Sequence, residues 1–482
     1  MSTISRRDFM KASGLLAGLG LAGCAGGGGS SSGSDDTGGH EAPEPEAPEA
    51  EPTAEPEAEP EAASGPLSHD DAVARMNEII SDPEHPLAAA SLGVLNNGQI
   101  TFAESVGVAH FSEDGDIPAD ADTKYRIASI SKLSTATGAW QLIEQGKLDP
   151  DADVSDYLGF ELRNPNFPDT PLTLRMLMSH TSSIREGGDN SGLYNIPFGH
   201  DIVEFFTPGA ECYCEGCWAP AEEAPGEFFS YCNMNYCLVA TIIERVSGER
   251  FDQYMINHIY GPMGLTCSFN VQDMDDEAKS HIGTLYRKLD ENGEYDVENG
   301  TWTAQCDDYP VGEPVVDYSS YEIGTNGSLF GPMGSLRVSV KELLALMQMW
   351  SGGGSYNGAQ ILKPETIEQM FTPVWNYDEA AENGDTYWGL MLSYCMGPQV
   401  FTNTDFGDRL FPNQDVPFAG HTAEAYGLLG GLAFDRELGN GVVYIVAGTG
   451  CDMDTYYGEY SAFYGWEESL LTVGGEVGNF DY

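Results

Sequence analysis

Strand-like runs lie near both ends of the folding part of this chain, with helical runs between them. That arrangement restricts the fold more than any other feature. Residues 88–95 and 99–108 flank Asn96-Asn97-Gly98, the short-range signature of a hairpin. Far downstream, residues 428–434 and 441–447 read as buried strands joined by a turn at 437–440. Between them, apolar residues recur at helical spacing near 173–179, 235–246, 250–259 and 338–350, and a last helical stretch falls near 461–471. Strands at both ends with helices between predict an α/β domain whose sheet is closed by both ends of the chain, with a helical domain inserted in it.

Not all 482 residues belong to that domain. Residues 1–24 read as an export signal with a lipobox, cut ahead of Cys24. Ser5-Arg6-Arg7-Asp8-Phe9-Met10-Lys11 has the form of a twin-arginine signal, and the apolar stretch after it is too short to span a bilayer. It ends at Leu21-Ala22-Gly23-Cys24, which resembles a bacterial lipobox and makes Cys24 the expected lipidation site. Residues 25–65 run through Gly/Ser into a Glu/Pro/Ala tract with no aromatic residue and no Lys or Arg, so they cannot bury enough surface to fold. Proline and mutual Glu repulsion make this tract an extended tether. The chain is thereby expected to be exported and held by lipid on the extracytoplasmic face of a bacterial membrane, with residues 66–482 as the folded domain.

The formal net charge is −55, and the part after residue 65 carries 64 acidic against 18 basic side chains. An acidic surface of that size argues against nucleic acid or an anionic membrane face as a partner. Membrane attachment is then expected only through the lipid anchor. Nine cysteines remain after Cys24. Cys212, Cys214 and Cys217 form C-x-C-x-x-C inside an acid-rich segment, residues 208–224, that reads as an insertion near the cleft. No neighbouring histidine or cysteine in the sequence completes a standard zinc spacing, so disulfides or free thiols are favoured there and no metal is expected. H-E-x-x-H is absent, and the one G-x-S-x-G, Gly29 to Gly33, falls in the Gly/Ser tract outside the folded domain, which disfavours a metallohydrolase and an α/β-hydrolase.

Ser129-Ile130-Ser131-Lys132 opens a stretch with Leu133, Ala136, Ala139, Trp140 and Ile143 at helical spacing. Three residues apart on a helix, Ser129 and Lys132 share a face, so a hydroxyl and an amine stand where a nucleophile and its base would. A place in the first helical turn would expose Ser129 to free N–H groups and the positive end of the helix dipole. Two further polar clusters precede regular elements. Tyr231-Cys232-Asn233 comes just before a helix, where Asn233 also suits a helix cap, and Gly420-His421-Thr422-Ala423 comes just before the strand at 428–434.

These segments, in this order, resemble the serine β-lactamase-related family that includes class C β-lactamases, DD-peptidases and esterases. Ser129 to Lys132 matches its S-x-x-K motif and Tyr231-Cys232-Asn233 its Y-x-N motif. Leu177-Met178-Ser179-His180-Thr181-Ser182 is similar to its L-L-x-H-T-S segment, Gly261 to Leu265 to its P-L-G-M turn, and Gly324 to Arg337 to a further family stretch. Gly420-His421-Thr422 falls where the family has K-T-G or H-x-G. The resemblance spans about residues 70–470. It implies the β-lactamase/transpeptidase-like fold, an antiparallel sheet flanked by helices with an inserted helical domain. It further implies acyl-enzyme chemistry without a cofactor. Ser129 would attack a carbonyl, and Lys132 and Tyr231 would share the base role, which requires one of them to titrate far below its free value. Asn233, His421, Thr422 and Glu424 would contact substrate, with the backbone N–H groups of Ser129 and Glu424 holding the oxyanion.

Two positions depart from the family pattern: His421 stands where efficient β-lactamases carry lysine, and Ala423 replaces a glycine. An ordinary histidine is mostly neutral at pH 7, so an uncharged ester or amide is the expected substrate and a lactam a poor one. A D-amino-acid-specific peptidase or carboxypeptidase and a β-lactamase are the nearest alternatives. A catalytically silent peptidoglycan-binding protein is the alternative of another class, disfavoured by the full Ser129, Lys132 and Tyr231 set.

Overall fold

The computed structural model describes residues 66–187, 194–308, 315–413 and 416–480. The expected export signal, Cys24 and tether lie outside these residues. No helix among the described residues is long and apolar enough to cross a membrane.

Helix α1, His69–Ile80, starts at Ser68, whose hydroxyl accepts from the Asp71 N–H (3.2 Å). The hairpin follows as β1, Ala89–Asn96, and β2, Gln99–His110. Asn97 (φ 49°) and Gly98 (φ 73°) both take positive φ, as a tight hairpin turn requires and as Asn and Gly tolerate best. Ile117–Pro118 forms β3 and Lys124–Arg126 forms β4. Helix α2, Ser131–Glu144, helix α3, Met234–Ser247, and helix α4, Val340–Ser351, make the helical layer. Val338 and Ser339, expected to open α4, belong instead to a short strand, β5, Arg337–Ser339, paired antiparallel with β4 so that Tyr125 faces Val338. After the short strands β6, Trp375–Asn376, β7, Ser393–Tyr394, and β8, Gln399–Phe401, the chain returns to long ones. These are β9, Phe418–Ala425, β10, Leu428–Asp435, and β11, Asn440–Val446. Helix α5, Gly465–Gly478, starts and ends later than the sequence suggested.

The principal sheet has nine strands in the order β6-β7-β8-β9-β10-β11-β1-β2-β3. Its neighbours pair antiparallel, with β1 from the start of the domain against β11 from its end, Leu92 opposite Tyr444. The expected closure of the sheet by both ends of the chain is therefore present. Strand alternation then builds two apolar cores. Val442, Tyr444 and Val446 point to the side of α1 and α5, with Leu470, Leu471 and Trp466. Val443 and Ile445 point to the other side, with Leu133 and Trp140 of α2, Leu238 of α3 and Leu343 of α4. Burial on both faces explains why β11 reads as one continuous apolar run.

The site-bearing side is the helical one. β4 and β5 are tied to it by a buried ion pair between Lys124 and Glu342. Glu342 also accepts from the N–H groups of Ser339 (3.0 Å) and Thr266 (2.8 Å), so one carboxylate joins β4, the start of α4 and a neighbouring loop.

Candidate active site

Between β4 and α2 the backbone turns sharply. Ala128 takes φ 42°, in the left-handed region that side-chain-bearing residues seldom occupy. Ser129 follows within the 3₁₀ turn Ala128–Ile130, one turn ahead of the place in α2 expected from the helical pattern. The Ser131 hydroxyl accepts from the Leu336 N–H (3.2 Å), and the Thr135 hydroxyl donates to the Pro332 carbonyl (2.7 Å). The start of α2 is thus pinned to the segment leading into β5. From Thr123 to Leu142, Ser129 alone is not buried.

Lys132 is fully buried beneath it. Its Nζ reaches the Ser129 Oγ (3.0 Å), the Asn233 Oδ1 (2.8 Å) and the Met333 carbonyl (3.0 Å). Burial disfavours the ammonium and brings its pKa down to about 7, against an opposing pull from the Glu186 carboxylate. The Tyr231 ring lies 4.7 Å from the same nitrogen. Burial pushes the Tyr231 phenol well above its ordinary value, and its interaction with Ser129 offsets only part of that. Of the two candidate bases, only the amine has a substantial deprotonated fraction near pH 7.

Tyr231 and Asn233 precede α3. Asn233 occupies the cap position, but its side chain caps nothing and instead faces Lys132. His421, Thr422 and Glu424 lie on β9. β9 pairs with β8 only from Phe418 to Gly420, and beyond that its edge turns toward the cleft. The Thr422 N–H is directed to this edge, where the Gln399 amide oxygen accepts from it (3.3 Å). By strand alternation the Glu424 N–H points the same way. Glu424, Ser129, Asn233, Tyr194 and Arg126 together line a narrow cleft. His421 is fully buried. Its Nδ1 donates to the Thr422 carbonyl (2.6 Å), so its Nε2 accepts from the Tyr394 hydroxyl (2.8 Å). Burial, reinforced by the nearby Lys132, lowers its pKa to about 3. The ring is neutral and both nitrogens are engaged, so it reaches substrate through a nitrogen only if Tyr394 lets go.

A serine, a depressed amine, a phenol and an open strand edge thus meet at one cleft. The model of the beta-lactamase family matches residues 70–459, most of the chain. This protein belongs to the beta-lactamase family. Penicillin-binding protein 4 of Amycolatopsis lactamdurans is 28% identical over 206 residues, which are 42% of this chain and 50% of that protein. The chain therefore spans about half the length of that curated relative. The octameric penicillin-binding protein homologue of Pyrococcus abyssi superimposes with a TM-score of 0.56 at 23% identity, covering 80% of this chain and 74% of that one. A class C beta-lactamase from Rhodobacter sphaeroides gives 0.56 at 17% identity, covering 84% and 97%. At these identities the structural likeness shows the β-lactamase/transpeptidase-like fold.

Within this beta-lactamase-family cleft, several residues escaped the sequence reading. The Glu186 carboxylate accepts from the Asn233 N–H, from the Met234 N–H (3.3 Å) and from the Asn233 Nδ2 (3.4 Å), and so caps α3 from another part of the chain. Burial raises its pKa, opposed by those bonds and by Lys132. No local motif marks Glu186; its role exists only because a loop 47 residues upstream folds back on the helix. His180, read only as part of a family segment, is buried at φ 58°. Its Nδ1 accepts from the Cys232 N–H (3.1 Å) and its ring stacks on Tyr231 at 4.3 Å, holding the phenol in place. Beside the cleft, Arg126 and Arg337 share the Asp307 carboxylate at 2.7–3.4 Å. Burial alone would raise that carboxyl, yet the two guanidiniums hold it far below the usual range.

Proposed function

We propose that this chain is a hydrolase working through an acyl-enzyme on Ser129. The observation that carries the reading is the Lys132 amine, 3.0 Å from the Ser129 hydroxyl and brought by burial to a pKa of about 7. In this reading the neutral amine takes the Ser129 proton as Oγ bonds to the substrate carbonyl. The N–H groups of Ser129 and Glu424 receive the oxyanion. Lys132 then returns the proton to the leaving group, and water releases the acyl group by the same route. Asn233 and Glu186 keep the amine aimed, and Tyr231 covers it.

The preferred substrate is an uncharged ester or amide, supported by the neutral, capped imidazole where a lysine would meet a carboxylate. A second reading, a peptidase acting on D-amino-acid peptides, draws support from the Arg126 guanidinium on the cleft wall, a group of the kind that meets a peptide carboxylate. The export route and the Cys24 lipid anchor remain part of the proposal, placing the domain at the cell envelope. A fluorophosphonate probe followed by peptide mass spectrometry tests the nucleophile. An adduct on Ser129 that disappears in Ser129→Ala is expected, whereas one on Ser131 or Ser134 would sink the assignment. Turnover of a short-chain ester, a D-Ala-D-Ala peptide and a cephalosporin at equal concentration then separates the substrate classes. A cephalosporin hydrolysed fastest would overturn the argument from His421.

A further inference from the structure

Away from the catalytic cleft, the fold gathers three metal-type donors that sequence spacing had kept apart. Asp201 caps the short 3₁₀ turn Ile202–Phe206, accepting from the Val203 N–H (3.1 Å). Glu204 reciprocates through Oε1, which accepts from the Asp201 N–H (3.3 Å). This capping box fixes one carboxylate oxygen and leaves Oε2 facing the His200 Nδ1 at 3.0 Å. The chain then doubles back, with the Cys214 N–H bonded to the Phe205 carbonyl (3.0 Å), and returns Cys212 to the same spot. One donor atom each from His200, Glu204 and Cys212 lies within 4.8 Å of the others. His200 and Glu204 are partly exposed, so an ion has a path in.

We propose that His200, Glu204 and Cys212 bind a divalent cation of borderline softness, with Zn²⁺ the reference case and water or Glu211 in the fourth position. The donor set, imidazole, carboxylate and thiolate, is the one such a cation takes. Ligand bonds of about 2.0–2.3 Å place donors roughly 3.5 Å apart in a tetrahedron, so the Cys212 thiol closes by about 1 Å at most while His200 and Glu204, now 3.0 Å apart, open slightly. The local charge is suited to a cation. Glu204 belongs to the donor set and Glu211 adjoins Cys212 in the chain, so two carboxylates supply negative charge. A bound cation displaces the thiol proton to solvent. The absence of a metal expected from sequence rested on the spacing of Cys212, Cys214 and Cys217; the histidine comes from upstream and the partner of the thiol is a carboxylate.

The site would brace one wall of the cleft. The Cys217 carbonyl accepts from the Arg185 N–H (2.9 Å), and Ala219 donates to the Ser183 carbonyl (2.8 Å), so the cysteine segment is laced to the strand of chain that ends at Glu186. The test uses the full chain under a phosphine reductant, titrated with Co²⁺ and with Zn²⁺. One equivalent of Co²⁺ should give a thiolate-to-metal charge-transfer band that is lost in Cys212→Ser, and His200→Ala should weaken Zn²⁺ binding roughly tenfold or more. In the unaltered chain, Zn²⁺ should also protect Cys212 from alkylation, mapped by peptide mass spectrometry, which needs no folded variant. No thiolate band, an equal band in Cys212→Ser, or Cys212 alkylated as fast with Zn²⁺ as without it would overturn the proposal.

Discussion

Burying an amine costs stability, and at Lys132 that cost depends on pH. Its folded pKa of about 7 lies below the unfolded value, so the unfolded chain binds the extra proton between the two. The penalty is fully present below pH 7 and fades as pH rises toward the unfolded value. Lys132→Met should abolish acylation while removing this penalty. Urea unfolding of the two proteins should therefore show wild type gaining on the variant from pH 7 to 10, by on the order of 3–4 kcal/mol. Parallel stability curves would mean that Lys132 is charged in the folded protein. Glu186 acts on the same nitrogen, because its carboxylate favours the ammonium. Glu186→Gln keeps the shape of the cap and removes that charge, so the pH at which kcat/KM rises should move down; an unmoved midpoint would detach Glu186 from the base. Ser129 and Lys132 were legible in the sequence because the two groups lie three residues apart and one turn of backbone brings them together. Glu186, His180 and Tyr394 were not, since each acquires its task from a partner in another part of the chain.

The elements that carry Ser129 are short and lean on one buried carboxylate. Burial alone would raise the Glu342 carboxyl, but Lys124 and the bonds from Ser339 and Thr266 hold it below its usual value. Its stabilising contribution is thus present above the unfolded pKa and lost as pH falls through the folded one. Glu342→Gln leaves the Lys124 ammonium buried and unpaired, so unfolding should cost about 3–5 kcal/mol less, read from urea denaturation at pH 7. Because β4 runs straight into Ala128 and Ser129, labelling of Ser129 should slow in the same variant even where it is still folded; unchanged stability would place the pair in a solvated setting. The sequence revealed elements whose signals are local. Asn97-Gly98 announces its hairpin, and the Val442–Val446 run its doubly buried strand. It concealed β5, whose three residues become a strand only by pairing with Lys124–Arg126.

At the scale of the whole molecule, the two cores lie back to back across one sheet, and the chain enters and leaves on the same face. The Leu67 N–H donates to the Glu476 carbonyl (3.0 Å), and Arg75 pairs with Glu476 as well, so α1 and α5 are neighbours. Ser129 is on the opposite face, among the residues of the other core. Sequence order is then almost arbitrary for this domain. A short Gly/Ser link from Phe480 to Pro66 should allow the chain to be reopened at the exposed Asn357-Gly358 turn between Ser355–Tyr356 and Ala359–Gln360. Such a circular permutant should melt cooperatively and still take the probe on Ser129, and aggregation with loss of labelling would show that β1 must be made before β11 can find it. If it folds, the whole domain becomes a cassette whose new ends, at Asn357 and Gly358, can be fused to other proteins at a point the cleft never sees.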